Sequence, residues 1–190
     1  NYNVRGYEGE REVHVEMWEA DGSPLLEQNL GLRVHGGMSR GLDVKSLRLI
    51  AREEYGSKRI LTALFPGQME VSDSGELLLS KRVVLRNHGN DQEYGYLRNE
   101  LGEKLVEDAG FPCVERFRAA SVWINGEYYG FEWMEDYFDG AYLNNLYDAS
   151  SKDGEWRMAE PFREDVTELS AEDAEAKADL QQVMSYYHYD

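Results

Sequence analysis

Residues 31–52 read GLRVHGGMSRGLDVKSLRLIAR and place one lysine, Lys45, in a strand pattern just after a glycine-rich polar loop. On an alternating strand Lys45 shares a face with Leu47, Leu49 and Ala51, while Val44, Ser46, Arg48 and Ile50 face the other way. An ammonium on an otherwise aliphatic face must snorkel to water, find a counter-charge or serve a ligand. Three roles are therefore open: an edge lysine reaching solvent, a structural ion pair, or a lysine that binds phosphate.

Glu100 is the partner the third role would need. It belongs to a helical pattern with Leu97, Leu101 and Leu105 as its apolar stripe, and sits one position off that stripe, at the edge of the buried face. A strand lysine held by a helix glutamate is one way to position a nucleotide phosphate. The other role for Glu100 is that of a solvated helix carboxylate.

Arg33, His35, Ser39 and Arg40 surround the loop Gly36-Gly37-Met38-Ser39-Arg40-Gly41. Backbone N–H groups in such a loop can form an anion nest. Neither GxxxxGK[ST] nor GxGxxG occurs, so the two common phosphate motifs are excluded. Residues 86–91, RNHGND, supply Asn90 and Asp91 as N-caps for the following helix. His88 could act as ligand or base, but the histidines at 14, 35, 88 and 188 show no metal-ligand spacing, and no metal site is expected. Cys113 reads as a buried, inert thiol. Glu132, Glu135 and Asp136 could meet metal or ligand, with a solvated face as the default. No carboxylate pair is placed for glycoside hydrolysis.

The elements that must carry these residues are mostly strands. Residues 12–18 alternate Val13, Val15 and Met17 against Glu12, His14 and Glu16, and Asp21-Gly22 turns the chain. Residues 30–35, 44–51 and 77–86 supply three further strands. The helix spans 97–109, with Gly110 as its stop and Pro112 after it. Asn125-Gly126 between 119–124 and 127–134 is the strongest hairpin signal in the chain. Its aromatic residues Trp123, Tyr128, Tyr129, Phe131 and Trp133 are expected to make mostly core contacts. Asp136 to Tyr147 reads as helix or turn. After Ser150 the chain turns polar and acidic, and a last helix is expected from Ser170, with Leu180, Val183, Met184 and Tyr187 as its stripe.

A chain of 190 residues, 42 % hydrophobic and 30 % charged, can bury a real core. Its 37 acidic and 20 basic residues give a net charge of −17. That balance argues against nucleic acid as a partner, because a phosphate backbone needs a positive footprint. The single cysteine excludes an intrachain disulfide and a cysteine cage. No run of 18 apolar residues exists, so no membrane-spanning helix is expected. The start at Asn1, without Met or a leader, suggests a piece of a longer chain, the remainder of which would be its first partner.

Five segments in order carry a resemblance: RVHGGMSR (33–40), KSLRLIAREEYG (45–56), VVLRNHGND (83–91), LRNELGEKLVEDAG (97–110) and VWINGEYYGFEWMEDYFDGAYL (122–143). Together they strongly resemble the spore coat protein H family, the CotH kinase domains, over about residues 8–148, with a weaker likeness at 178–190. The resemblance implies an α+β fold, an antiparallel sheet packed against helices, like the N-terminal lobe of an atypical protein kinase. It divides the chain into a lobe at 1–149 and, at 150–190, an acidic connection leading into a helical lobe. It also implies ATP with Mg2+ or Mn2+, transfer of the γ-phosphate to serine or threonine of a protein substrate, and a bacterial protein that is secreted or sits on a cell surface or spore coat.

Residue by residue, the resemblance puts Arg33, Ser39 and Arg40 in the place of the glycine-rich loop. Lys45 becomes the nucleotide lysine, Glu100 its helix glutamate, and Glu132 enters the hinge near the adenine. Met38 departs from the family, which has a polar residue there. The family's catalytic and metal-binding Asp and Asn lie beyond the matched region, so these 190 residues are expected to be inactive alone. The alternative is a non-catalytic surface or scaffold module of an exported protein that keeps the fold. A carbohydrate-binding module would need the hairpin aromatics exposed in a flat row.

Overall fold

The computed structural model of the chain describes residues 3–68, 78–91 and 94–147. The expected last helix and acidic connection lie outside these residues. The described part is α+β, with a six-stranded antiparallel sheet and two helices. The strands are β1 (Arg11–Trp18), β2 (Pro24–Val34), β3 (Leu47–Ile50), β4 (Arg82–Arg86), β5 (Phe117–Ile124) and β6 (Glu127–Asp136). They lie in the order β1-β2-β3-β4-β6-β5. The helices are α1 (Arg98–Asp108), between β4 and β5, and α2 (Gly140–Tyr147), after β6. No helix among the described residues is long and apolar enough to cross a membrane.

Turn chemistry sets the hairpins. Gly22 at φ 85° closes β1–β2, and Asn125 and Gly126, at φ 52° and 82°, close β5–β6. Two consecutive positive φ values are what a tight hairpin turn with the strands' own twist requires. Two strands are shorter than the alternation suggests. The first begins at Leu47 rather than 44, so Lys45 precedes β3, and its backbone N–H donates to the Tyr129 hydroxyl instead of joining the strand ladder. The second begins at Arg82, because Leu78, Leu79 and Ser80 run as a buried connection.

The sheet has two unlike faces. Leu30, Leu47, Leu49, Val83, Leu85 and Met134 point to one side, where Ile60, Leu64 and Phe65 of the β3–β4 connection cover them as a continuous core. The alternating residues point to the other side. Register places Arg33 opposite Arg48, Arg48 opposite Val84, and Val84 opposite Glu135, one row across four strands.

Helix α1 reaches the Glu135 side of the sheet, but not with its leucines. Leu97, Leu101 and Leu105 are 54 %, 60 % and 60 % exposed, whereas Glu100 is 3 % exposed. The helix is tied down by polar groups. The Asp91 carboxylate accepts from the backbone N–H groups of Leu97 and Arg98, both at 2.9 Å, and satisfies two of the orphan donors of the first turn. Asn99 Nδ2 donates to Glu135 at 3.5 Å. The N-cap position is Leu97, not Asn90 or Asp91 as expected, and Asp91 reaches the helix start from six residues upstream. The four-residue spacing of the leucines is real, but periodicity defines a stripe without saying which side docks.

Three further expectations change. Cys113 is exposed, because the connection after α1 runs over the surface with Phe111 and Pro112. Trp123, Tyr128 and Phe131 are exposed at 62 %, 56 % and 40 %, because β5 is an edge strand and, among the described residues, nothing is laid over its hairpin tip. Their rings meet edge-on, at 66° for Trp123–Tyr128 and 73° for Phe131–Trp133, so they form no flat sugar-binding row. Glu132, Glu135 and Asp136, by default a solvated group, are all buried, because β6 is an interior strand between β4 and β5.

Candidate functional site

The face opposite the core gathers cations. Arg33 from β2, Arg48 from β3, and Arg82 and Arg86 from the two ends of β4 come to one side of the sheet, with His35 just beyond β2 and Tyr137 just beyond β6. In a chain of net charge −17, four arginines on one face amount to a local reversal of sign. Three of them have carboxylates. Glu10 lies 4.0 Å from Arg33, Asp139 lies 2.6 Å from Arg82, and Glu135 lies 3.5 Å from Arg86.

Arg48 is different. Among the described residues no carboxylate forms an ion pair with it. Its guanidinium carbon stands 3.9 Å above the Tyr137 ring, a cation–π contact, and its Nη2 donates to His35 Nδ1. Its Nε is buried without a hydrogen-bond partner, as is the Nε of Arg82. Buried donors left unpaired are costly and call for an acceptor. His35 records the same field. Burial, then Arg48, Arg40, Arg86 and Arg33, push its pKa down to about 4, so it is neutral at pH 7 and accepts from Arg48.

The six residues singled out for nucleotide binding do not converge. Arg33 is on the basic face. Arg40 is buried and donates to the carbonyls of Gly36 and Val34, both at 2.6 Å, so its visible work is to hold the glycine loop closed on β2. Ser39 packs against Gly36, whose φ of 101° a larger residue would not adopt without strain. Lys45 donates from Nζ to the carbonyls of Leu42 at 2.7 Å and Asp43 at 3.4 Å. No ion pair between Lys45 and Glu100 is present among the described contacts.

Glu100 lies close to Glu135 instead, and both side chains are buried. Burial, with Glu115 and Glu100 nearby, raises Glu135, while Arg86 works against the shift. Burial and Glu103 likewise push Glu115 up to about 6. Glu132 lies two residues from Met134, on the core side of the sheet. It is fully buried, neither of its oxygens has a hydrogen-bond partner, and burial pushes its pKa up to about 8. A cleft of about 380 Å3 lies beside β6, lined by Val44, Asn87, His88, Tyr96, Gly130 and Phe131.

Sequence reasoning missed Arg48, Arg82, Arg86 and Tyr137. A signal existed. LRV, LRL and RVVLR each set arginine against aliphatics in a strand pattern, and the same alternation that turns the leucines inward turns the arginines to the opposite face. What the pattern cannot supply is register, which decides that the arginines of separate strands are neighbours.

The chain was compared with known proteins. The model of one family, described as CotH kinase protein, matches residues 32–186. No curated protein matches the chain.

Proposed function

The chain belongs to the CotH kinase family, and from that premise we propose that the basic face of the sheet binds the phosphates of ATP. The observation that carries this is Arg48, a half-buried guanidinium among three further arginines that pairs with no carboxylate among the described residues. Its planar donor fork suits phosphate oxygens. Arg33 and Arg82 flank it. Arg86, Glu135 and Glu100 join the strand that leads into α1 to the helix itself, and on this view they set the position of α1 beside the phosphates. Lys45 serves at the margin of the glycine loop, with Ser39 and Arg40 fixing the loop's shape.

The full activity proposed is transfer of the ATP γ-phosphate to serine or threonine of a protein in a bacterial spore coat or secreted setting. Phosphoryl transfer of this class uses a divalent ion to neutralise the developing charge. Mg2+ is a poor fit to the carboxylates on this face, because Glu135 is engaged with Arg86 and Glu100 is buried beside it. Nucleotide binding is therefore the part of the activity assigned to these residues, and the chain alone is expected not to turn ATP over.

A titration of the 190-residue chain with ATP, with tripolyphosphate as competitor, tests the proposal. Saturable binding displaced by tripolyphosphate supports a phosphate site on this face. Absence of binding in the folded chain, or binding that tripolyphosphate leaves untouched, contradicts it.

A further inference from the structure

The outer hairpin of the sheet holds a second polar cluster, on strands that begin before the family match. Register sets His14 of β1 opposite Asn29 of β2, and Glu16 opposite Glu27. The four side chains share one face, since strand residues two apart point the same way. His14 Nδ1 lies 2.9 Å from Asn29 Oδ1, an acceptor, so Nδ1 carries the hydrogen, and in the neutral ring Nε2 bears the lone pair. The Asn29 amide is itself oriented, because its Nδ2 donates to Glu12 Oε1 at 3.0 Å. That relay, a histidine fixed through its far nitrogen by a second residue, is the usual outer support of a metal-bound imidazole.

The lone pair faces two carboxylates. Glu16 Oε1 and Glu27 Oε1 each stand 3.6 Å from His14 Nε2. One ligand atom from each of the three residues falls within 4.8 Å of the others. A charge-assisted hydrogen bond would close to roughly 2.8 Å. Ligand atoms on a tetrahedron around zinc, with bonds of about 2.0–2.2 Å, stand roughly 3.4 Å apart. The observed spacing matches the second geometry better than the first. Glu16 and Glu27 are also like charges directly opposed across an antiparallel pair, a repulsion that a protonated His14 relieves in part and a bound cation between them relieves more fully.

We propose that His14, Glu16 and Glu27 form a divalent-cation site of the kind that takes Zn2+, stapling the edge strand β1 to β2. Imidazole with carboxylates suits first-row divalent metals. Three protein ligands leave a fourth position open to water or to a ligand from another molecule. Spacing along the chain does not reveal the site, since the ligands come from two strands and meet only through register.

Titration of the chelator-treated 190-residue chain with Zn2+, in excess Mg2+ to occupy ordinary surface carboxylates, tests this. One equivalent is expected to bind and to raise the thermal unfolding midpoint. His14→Ala should abolish binding and the midpoint shift. Glu27→Gln and Asn29→Leu should each weaken binding at least tenfold, and Glu127→Gln on the far hairpin should not. All of these residues are exposed, so the variants keep the fold, which circular dichroism verifies. No saturable binding by the parent chain, or binding that His14→Ala leaves intact, overturns the proposal.

Discussion

Arg33 and Arg48 stand directly opposite each other on the paired strands β2 and β3. Like charges in that relation repel and cost the sheet stability. Glu10 relieves Arg33, at 4.0 Å, but it is held more closely by Arg52, at 2.5 and 2.8 Å. Burial works to raise the Glu10 carboxyl, yet Arg52 overrides it and holds the group below its ordinary value, so Glu10 stays ionised. Among the described residues Arg48 meets Tyr137 and the lone pair of His35 and pairs with no carboxylate. A phosphate between the two arginines would remove the repulsion and satisfy the buried Arg48 Nε.

This relation predicts a trade between stability and binding. Arg48→Leu should stabilise the ligand-free chain by about 0.5 kcal/mol, since it ends a like-charge pair and a buried unpaired donor. The same change should abolish the stabilisation that added ATP gives. Thermal unfolding with and without ATP measures both effects. A destabilised ligand-free variant would contradict the first.

Glu132 should act as a pH-dependent strain on the fold. Its folded pKa, about 8, lies above the ordinary 4.5 of a glutamate. The folded chain therefore binds more protons than the unfolded one in that interval, and stability falls as pH rises from about 4.5 through 8. Glu132→Gln removes the titration. It should leave stability near the parent's at pH 5 and raise it at pH 8.5, by an amount on the order of a few kcal/mol. Urea unfolding at the two pH values tests this, and a gain that is equal at both would exclude it.

Asp136 and Arg116 should behave as a buried pair. Both oxygens of Asp136 accept from the Arg116 guanidinium, at 2.6 and 3.0 Å, and Asp136 is 3 % exposed. Burial raises the Asp136 carboxyl despite the arginine. Asp136→Ala strands the cation against Phe65 and should cost about 3 kcal/mol. Arg116→Met with Asp136→Leu should recover most of it, as read by chemical denaturation.

Helix α1 should invert the usual rule for amphipathic helices. Leu101→Lys and Leu105→Lys alter exposed positions and should change stability by less than about 0.5 kcal/mol. Glu100→Ala empties a buried position of the helix and should cost more than either. Denaturation of the three variants ranks them, and a larger loss at the leucines would mean that the stripe is the docking face.

The strands, the Asn125-Gly126 hairpin and the helix between β4 and β5 were legible because each is a local pattern of period two, of period near four, or of turn residues. The buried Glu132 and Glu135 were not, because burial of β6 depends on β4, which pairs Val84 with Glu135 from a distant part of the chain and encloses β6 on the side away from β5. Lys45 drew attention through its aliphatic neighbours, yet the strand starts two residues later. Arg48 has the same kind of neighbours but faces the other way, and an arginine in a strand pattern reads as solvent-facing until its neighbours across the sheet are known.

The most direct measurement is the ATP affinity of the 190-residue chain beside its Arg48→Ala and Lys45→Ala variants, by calorimetry under one salt condition. Binding should fall at least tenfold in Arg48→Ala and by much less in Lys45→Ala. Full affinity retained in Arg48→Ala, or a loss confined to Lys45→Ala, would contradict a phosphate site on the arginine face.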